Sequence, residues 1–353
     1  MSTTANTTPG PAAAPGAPPA HHEVLELGDL VLQSGVTLTG ARLAYKTYGE
    51  PNAARDNAVL MPTFFGGHHT DTELMMGPGR ALDPQKHFII VPNMLTNGLS
   101  SSPSTAAPPS DGPRFPHVTV YDNVRCQHRL VTQHLGIDRL KLVVGFSMGA
   151  QQALQWGVSY PEMVDALAPI CGSAKTSIQN CLLLEAAGTA LTSSADFEDG
   201  WYAAPPTRGL LAFCRVYCSL VACSAFYREG EYSKLGLASP EDTMRFFEGF
   251  FRRRDANDLL AGLWTWQHAD VSTNDVYEGD LSTALRSIEA RTIALPSRSD
   301  LLFQTEDCEV QTSQIPNAEL RTIPSTWGHL AGLGVNPPDN EFIDAALSEL
   351  LDG

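Results

Sequence analysis

Five residues near the middle of the chain restrict its fold more than any others: Gly145-Phe146-Ser147-Met148-Gly149, a G-x-S-x-G pentapeptide. An apolar run at 140–146 (LKLVVGF) leads into it, with the composition of a fully buried strand. An amphipathic stretch at 148–160 follows and is stopped by Pro161. A serine in that setting sits in a tight strand-to-helix turn. The flanking glycines let the two arms approach without Cβ clashes. The hydroxyl then projects at a helix N-terminus, where the dipole favours negative charge.

The surrounding chain has the matching pattern. Residues 23–33 and 37–48 alternate apolar and polar side chains, as paired antiparallel strands do. Short apolar runs at 57–64, 87–93, 164–171, 291–296 and 318–324 read as further strands, and 124–135 and 342–351 as helices. Strands alternating with helices predict an α/β fold with a mostly parallel central sheet covered by helices. Between 173 and 290 helical stretches dominate, which predicts a helical cap inserted between two strands. The expected organisation is a disordered tail at 1–20, a core at 21–172 and 291–353, and a cap at 173–290.

Composition narrows the function. With 23 Lys and Arg against 39 Asp and Glu, the net charge is −16, and the basic residues are scattered. That argues against nucleic acid, which needs clustered cations. The densest run, Arg252, Arg253 and Arg254, is followed by Asp255 and reads as a solvated helix end. Seven cysteines with no C-x-x-C pair predict buried free thiols, no zinc site and a reducing, cytoplasmic setting. The adjacent His68, His69, Asp71 and Glu73 match no common ligand spacing, so no metal is expected. No dinucleotide or phosphate-loop motif is present, so no cofactor is expected either. No Lys or Arg precedes Arg42, which predicts no basic leader. The apolar stretch at 209–227 is broken by Arg215 and reads as a buried helix, so no membrane span is expected.

A serine hydroxyl is a weak nucleophile unless a base takes its proton. In strand-turn-helix sites of this type the partners follow in the order serine, acid, histidine. The run 291–296 is followed by Asp300, and 318–324 by His329. These two are therefore the expected orienting acid and general base. His268 and Asp270 precede the last strands and are in the wrong place, and Asp307 lies a turn into the helix after Asp300. The oxyanion donors should be the N–H of Met148 and one from the loop after 57–64, with Phe64 the candidate and Phe65 beside it.

The segments LAYKTYGEPN (43–52), RDNAVL (55–60), 115–164 and SRSDLLF (297–303) resemble the homoserine O-acetyltransferase family of the α/β-hydrolase superfamily. That resemblance implies an α/β-hydrolase fold and the same Ser147, Asp300 and His329. It also exposes two departures. True homoserine-acylating members carry an Asp after the catalytic histidine and an Arg in the first cap helix, where this chain has Leu330 and Gly188. Phe65, Leu330 and Gly188 are thus the expected substrate-facing positions. A zwitterionic acceptor would be left without charged partners there, at a cost. The expected activity is hydrolysis of short acyl esters through an acyl-enzyme. The alternative is acyl-CoA-dependent O-acyl transfer, as by homoserine O-acetyltransferase. The partner is then a small acyl ester or acyl-CoA, and a homodimer is left open.

Overall fold

The computed structural model describes residues 21–353, so the tail expected at 1–20 lies outside the described residues. Two long strands open the chain, β1 (Glu23–Val31) and β2 (Thr37–Tyr48), paired antiparallel with Leu25 opposite Leu43 and Leu30 opposite Leu38. The sheet continues through β3 (Ala58–Leu60), β4 (Phe88–Pro92), β5 (Leu142–Phe146), β6 (Ala166–Ile170), β7 (Arg291–Ala294) and β8 (Ala318–Leu320). Its order is β1-β2-β4-β3-β5-β6-β7-β8. β4 is antiparallel to β2, and every pair from β4 to β8 is parallel.

Inner strands alternate between two cores. Val59, Ile89, Val91, Leu142 and Val144 point to one face, and Ala58, Leu60, Ile90 and Val143 to the other. Of the helices up to mid-chain, α1 (His69–Thr72) caps the loop after β3, while α2 (Val120–Arg129) and α3 (Met148–Ser159) bury Val124, Leu154 and Trp156 in the second core. Between β6 and β7 come α4 (Ile178–Thr192), α5 (Thr207–Val221), α6 (Ser224–Arg228), α7 (Pro240–Phe251), α8 (Ala256–Gln267) and α9 (Leu281–Arg286). The first five of these share the first core through Leu184, Phe213, Phe226, Phe251 and Trp266, but α9 joins the second through Ala284 and Leu285. Last come α10 (Thr305–Thr312) and α11 (Pro337–Asp352), the latter burying Ile343, Leu347 and Leu350 in the first core.

Some element ends differ from the sequence reading, for physical reasons. α2 starts at Val120, ahead of the apolar periodicity. Its start is set by a capping box, in which Thr119 Oγ1 accepts the Asp122 N–H and Asp122 accepts the Thr119 N–H. Regular pairing in β3 ends at Leu60 because Pro62 has no N–H to donate. The loop still runs beside β4, with Met61 N donating to Ile90 O and Thr63 N to Pro92 O. No helix among the described residues is long and apolar enough to cross a membrane.

Candidate active site

Ser147 lies between β5 and α3 at φ 58°, ψ −124°, in backbone territory that a residue with a Cβ rarely adopts. The neighbouring glycines make the turn feasible. A Cβ on Gly145 would lie 2.2 Å from the Gly149 backbone, and one on Gly149 would lie 2.6 Å from the Pro62 carbonyl oxygen. The strain is held by pairing on both sides, with Ser147 N donating to Ile170 O and Ala150 N to Ser147 O.

His329 comes from the loop after β8, in a short helical turn at Gly328–Gly332. Its Nε2 is 2.9 Å from Ser147 Oγ, and its Nδ1 is 2.7 Å from Asp300 Oδ2. Asp300 Oδ1 accepts the N–H groups of Leu302 and Phe303 at 2.8 and 3.1 Å, which fixes the carboxylate. Ser299 Oγ accepts the Gly328 N–H at 3.0 Å and donates to Ser325 O, tying the acid loop to the histidine loop. The three expected residues therefore form one hydrogen-bonded chain from three separate loops. All three are buried. The arrangement sets the imidazole tautomer: Nδ1–H donates to Asp300, leaving Nε2 to accept from the serine.

The loop expected to supply the second oxyanion donor packs against this turn. Gln152 Nε2 of α3 donates to Thr63 O at 2.9 Å, and the Phe64 ring meets Phe146 edge-on at 5.2 Å. Met148 is the first residue of α3, so its N–H has no partner within the helix. Among the described residues the N–H groups of Met148 and Phe64 have no acceptor. A developing oxyanion requires uncommitted donors of this kind.

Aromatic rings enclose the group in a closed circuit. Phe64 meets Phe146, Phe146 meets His329 at 4.7 Å, and His329 meets Phe303 at 5.6 Å. Phe303 stacks on Trp266 at 5.3 Å, and Trp266 meets Phe65 at 5.7 Å, next in sequence to Phe64. Phe65 also touches Phe213, Tyr217 and Phe251 of the inserted helices. Leu330 is buried in the same core. Gly188 lies on α4 at the edge of this core, where a Cβ would meet Leu263 and Leu260 of α8. Tyr217, Trp266 and Phe303 are absent from the sequence reading, because their role depends on contacts between distant segments.

Other expected features find their places. Cys171 Sγ, an Asp300 oxygen and a His329 nitrogen lie within 4.8 Å of one another. Burial and the nearby Asp300 push the Cys171 thiol well up from its ordinary range, and Asp300 and His329 are hydrogen-bonded to each other. His68, Asp71 and Glu73 are each engaged with protein: His68 Nε2 with Asn97 O, Asp71 with the His68 N–H, and Glu73 with the Tyr48 hydroxyl. His68 is further pushed down to about 3, first by burial and then by Arg254, so its ring is neutral. The rejected alternatives lie in other contacts, His268 stacked on Trp264 and Asp270 paired with Lys175. The arginine run departs from the expectation of a solvated helix end. Arg252 and Arg253 are exposed, but the Arg254 side chain is only 8% exposed, because it turns inward onto the loop after β3.

A profile for the alpha/beta hydrolase fold matches residues 59–333, most of the chain. The chain belongs to the α/β-hydrolase family. Within this family it is 38% identical to an ethyl acetate hydrolase of Pseudomonas veronii, over 93% of this chain and 95% of that one. An acetylester hydrolase from Corynebacterium glutamicum superposes with a TM-score of 0.91 at 35% identity, covering 94% of this α/β-hydrolase and 96% of the other chain. A homoserine O-acetyltransferase of Chlorobaculum tepidum is 32% identical over 86% of this chain and 88% of its own. The resemblance to homoserine O-acetyltransferases thus holds, with esterases at higher identity.

Proposed function

We propose that the protein is a serine carboxylic-ester hydrolase acting on short acyl esters through an acyl-enzyme. The observation that carries this is the hydrogen-bonded Ser147–His329–Asp300 chain inside an apolar aromatic enclosure. Ser147 Oγ attacks the ester carbonyl carbon as His329 Nε2 takes its proton. The N–H groups of Met148 and Phe64 receive the oxyanion, and Asp300 stabilises the imidazolium. Collapse breaks the C–O bond, and the alcohol leaves with the proton held on His329. Water then repeats the sequence, giving the free acid and restoring Ser147. Phe65 and Leu330 form apolar walls for the acyl or alkoxy group. The helices at 173–290 act as a cap over the site.

Ester hydrolysis by the Pseudomonas and Corynebacterium relatives supports this reading over acyl transfer. So does Leu330, which offers no charge to an amino-acid acceptor. The test is turnover of an aryl acetate by wild type and Ser147→Ala. The variant should lose activity by about 10⁴-fold or more, as removal of such a nucleophile does. Retention of most activity would refute the mechanism. Thiol release from acetyl-CoA, with and without homoserine, should stay at background. Release that depends on homoserine would establish acyl transfer instead.

A further inference from the structure

Arg254 occupies the turn between α7 and α8, far in sequence from the loop it touches. Its Nε donates to Gly66 O, and its Nη2 reaches Asp71 Oδ2 at 2.9 Å. The guanidinium also lies 4.7 Å from the centre of the Phe250 ring. Asp71 Oδ2 accepts the His68 N–H at 2.8 Å, so it is anchored in turn. Withdrawing a guanidinium from water is costly unless its donors are matched. Here they are matched to a carbonyl and a carboxylate of one segment.

That segment carries Phe64. Gly67 N donates to Phe64 O at 2.8 Å, and Gly66 sits at φ 64°, which makes residues 64–67 a tight turn. The Phe64 N–H lies at the first residue of this turn, so the turn's tilt sets where that N–H points. Arg254 pulls on the turn's far side, at Gly66 O. The histidine loop is tied to the cap in a parallel way. Trp327 Nε1 donates to Glu231 at 2.6 Å, and Cys223 Sγ donates to Thr326 O at 2.9 Å.

We propose that Arg254 is a positioning residue: by holding Gly66 O and Asp71 from the cap, it sets the Phe64 N–H for the oxyanion, so that the oxyanion hole is complete only with the cap seated. This rests on the acyl-enzyme reading above.

The experiment compares wild type, Arg254→Met, Arg254→Lys and Ser147→Ala. It measures kcat/KM for an aryl acetate, thermal melting, and Ki for a trifluoromethyl ketone. Ser147 Oγ adds to the ketone carbon, its proton passes to His329, and the resulting oxyanion occupies the hole. Ki therefore reads the hole without turnover. Arg254→Met should lower kcat/KM by about 100-fold, the scale of a ~1 Å misplacement, and raise the ketone Ki by a similar factor. Lys can reach only one of the two acceptors and should fall between. Two results overturn the proposal: both variants within about threefold of wild type, or rates that fall while the ketone Ki stays unchanged. If Arg254→Met does not fold, Arg254→Lys decides on the same criteria. An active Ser147→Ala would instead refute the acyl-enzyme reading itself. An inactive Ser147→Ala beside wild-type-like Arg254 variants refutes the positioning role alone.

Discussion

Asp258 should make the protein less stable as pH rises, and Asp258→Asn should remove that dependence. The carboxyl lies in the first turn of α8, buried, with the Ser104 N–H 2.9 Å from Oδ1 and the Ser104 hydroxyl 2.6 Å from Oδ2. Burial pushes its pKa from 3.8 up to about 7, and Asp255 adds to the rise, against the two Ser104 hydrogen bonds. The folded state thus binds this proton more tightly than the unfolded state does. Its contribution is fully present below pH 3.8 and is lost as pH rises through about 7. That rise corresponds to about 4 kcal/mol, of which about 2.5 kcal/mol falls between pH 5 and 8. Asparagine does not titrate. Its oxygen can keep the Ser104 N–H, and its amide can donate to the Ser104 hydroxyl. Urea unfolding at pH 5 and 8 should therefore show the variant gaining about 2.5 kcal/mol on wild type between the two pH values, because any imperfection in the asparagine's hydrogen bonds is the same at both and cancels. A difference between the two proteins that is the same at both pH values would show Asp258 ionised throughout, and the reasoning would fail.

Two further outcomes follow from backbone geometry. Gly149→Ala drives a Cβ to within 2.6 Å of the Pro62 carbonyl oxygen, a backbone atom that cannot rotate away. It should cost about 2 kcal/mol in urea unfolding and lower aryl acetate turnover by about 100-fold as the elbow shifts; wild-type turnover would refute this. Thr96 is β-branched yet sits at φ 81°, and its hydroxyl has no partner among the described residues. Thr96→Gly should release about 1–3 kcal/mol of strain against a cost of up to about 1 kcal/mol in chain entropy, so its melting temperature should rise. A fall would mean that the threonine contributes packing worth more than the strain.

The elbow is legible in the sequence because its causes are local. Gly145 and Gly149 are needed by atoms four residues away or in the adjoining loop, so the pentapeptide carries its own geometric requirement. Asp300 and His329 are legible through order along the chain, since parallel strands return each following loop to the same edge of the sheet. The start of α2 is not, because a capping box is a hydrogen-bond signal that apolar periodicity does not contain. Arg254 escapes for a different reason. Its partners, Gly66 and Asp71, are more than 180 residues away, and next to Arg252 and Arg253 nothing local marks it as buried.

The same distinction separates the chemical apparatus from its surroundings. Ser147, His329 and Asp300 all stand on sheet loops, whereas Tyr217, Trp266 and Arg254 reach the site from the stretch between β6 and β7. On the ester-hydrolase reading, the sheet fixes which bond is attacked and the inserted helices fix what can be held while it is attacked. Their contribution is aromatic at Phe65 and Phe303, through Trp266, and cationic at Gly66 and Asp71, where the guanidinium is already committed to protein acceptors. A charged amino-acid acceptor would have to be desolvated against those rings with no counter-charge at Leu330, whereas a neutral ester gains from the same burial. On that reading the inserted helices and Leu330 set a preference for a neutral ester, while the groups proposed to make and break bonds, Ser147, His329 and Asp300, stand on loops of the sheet.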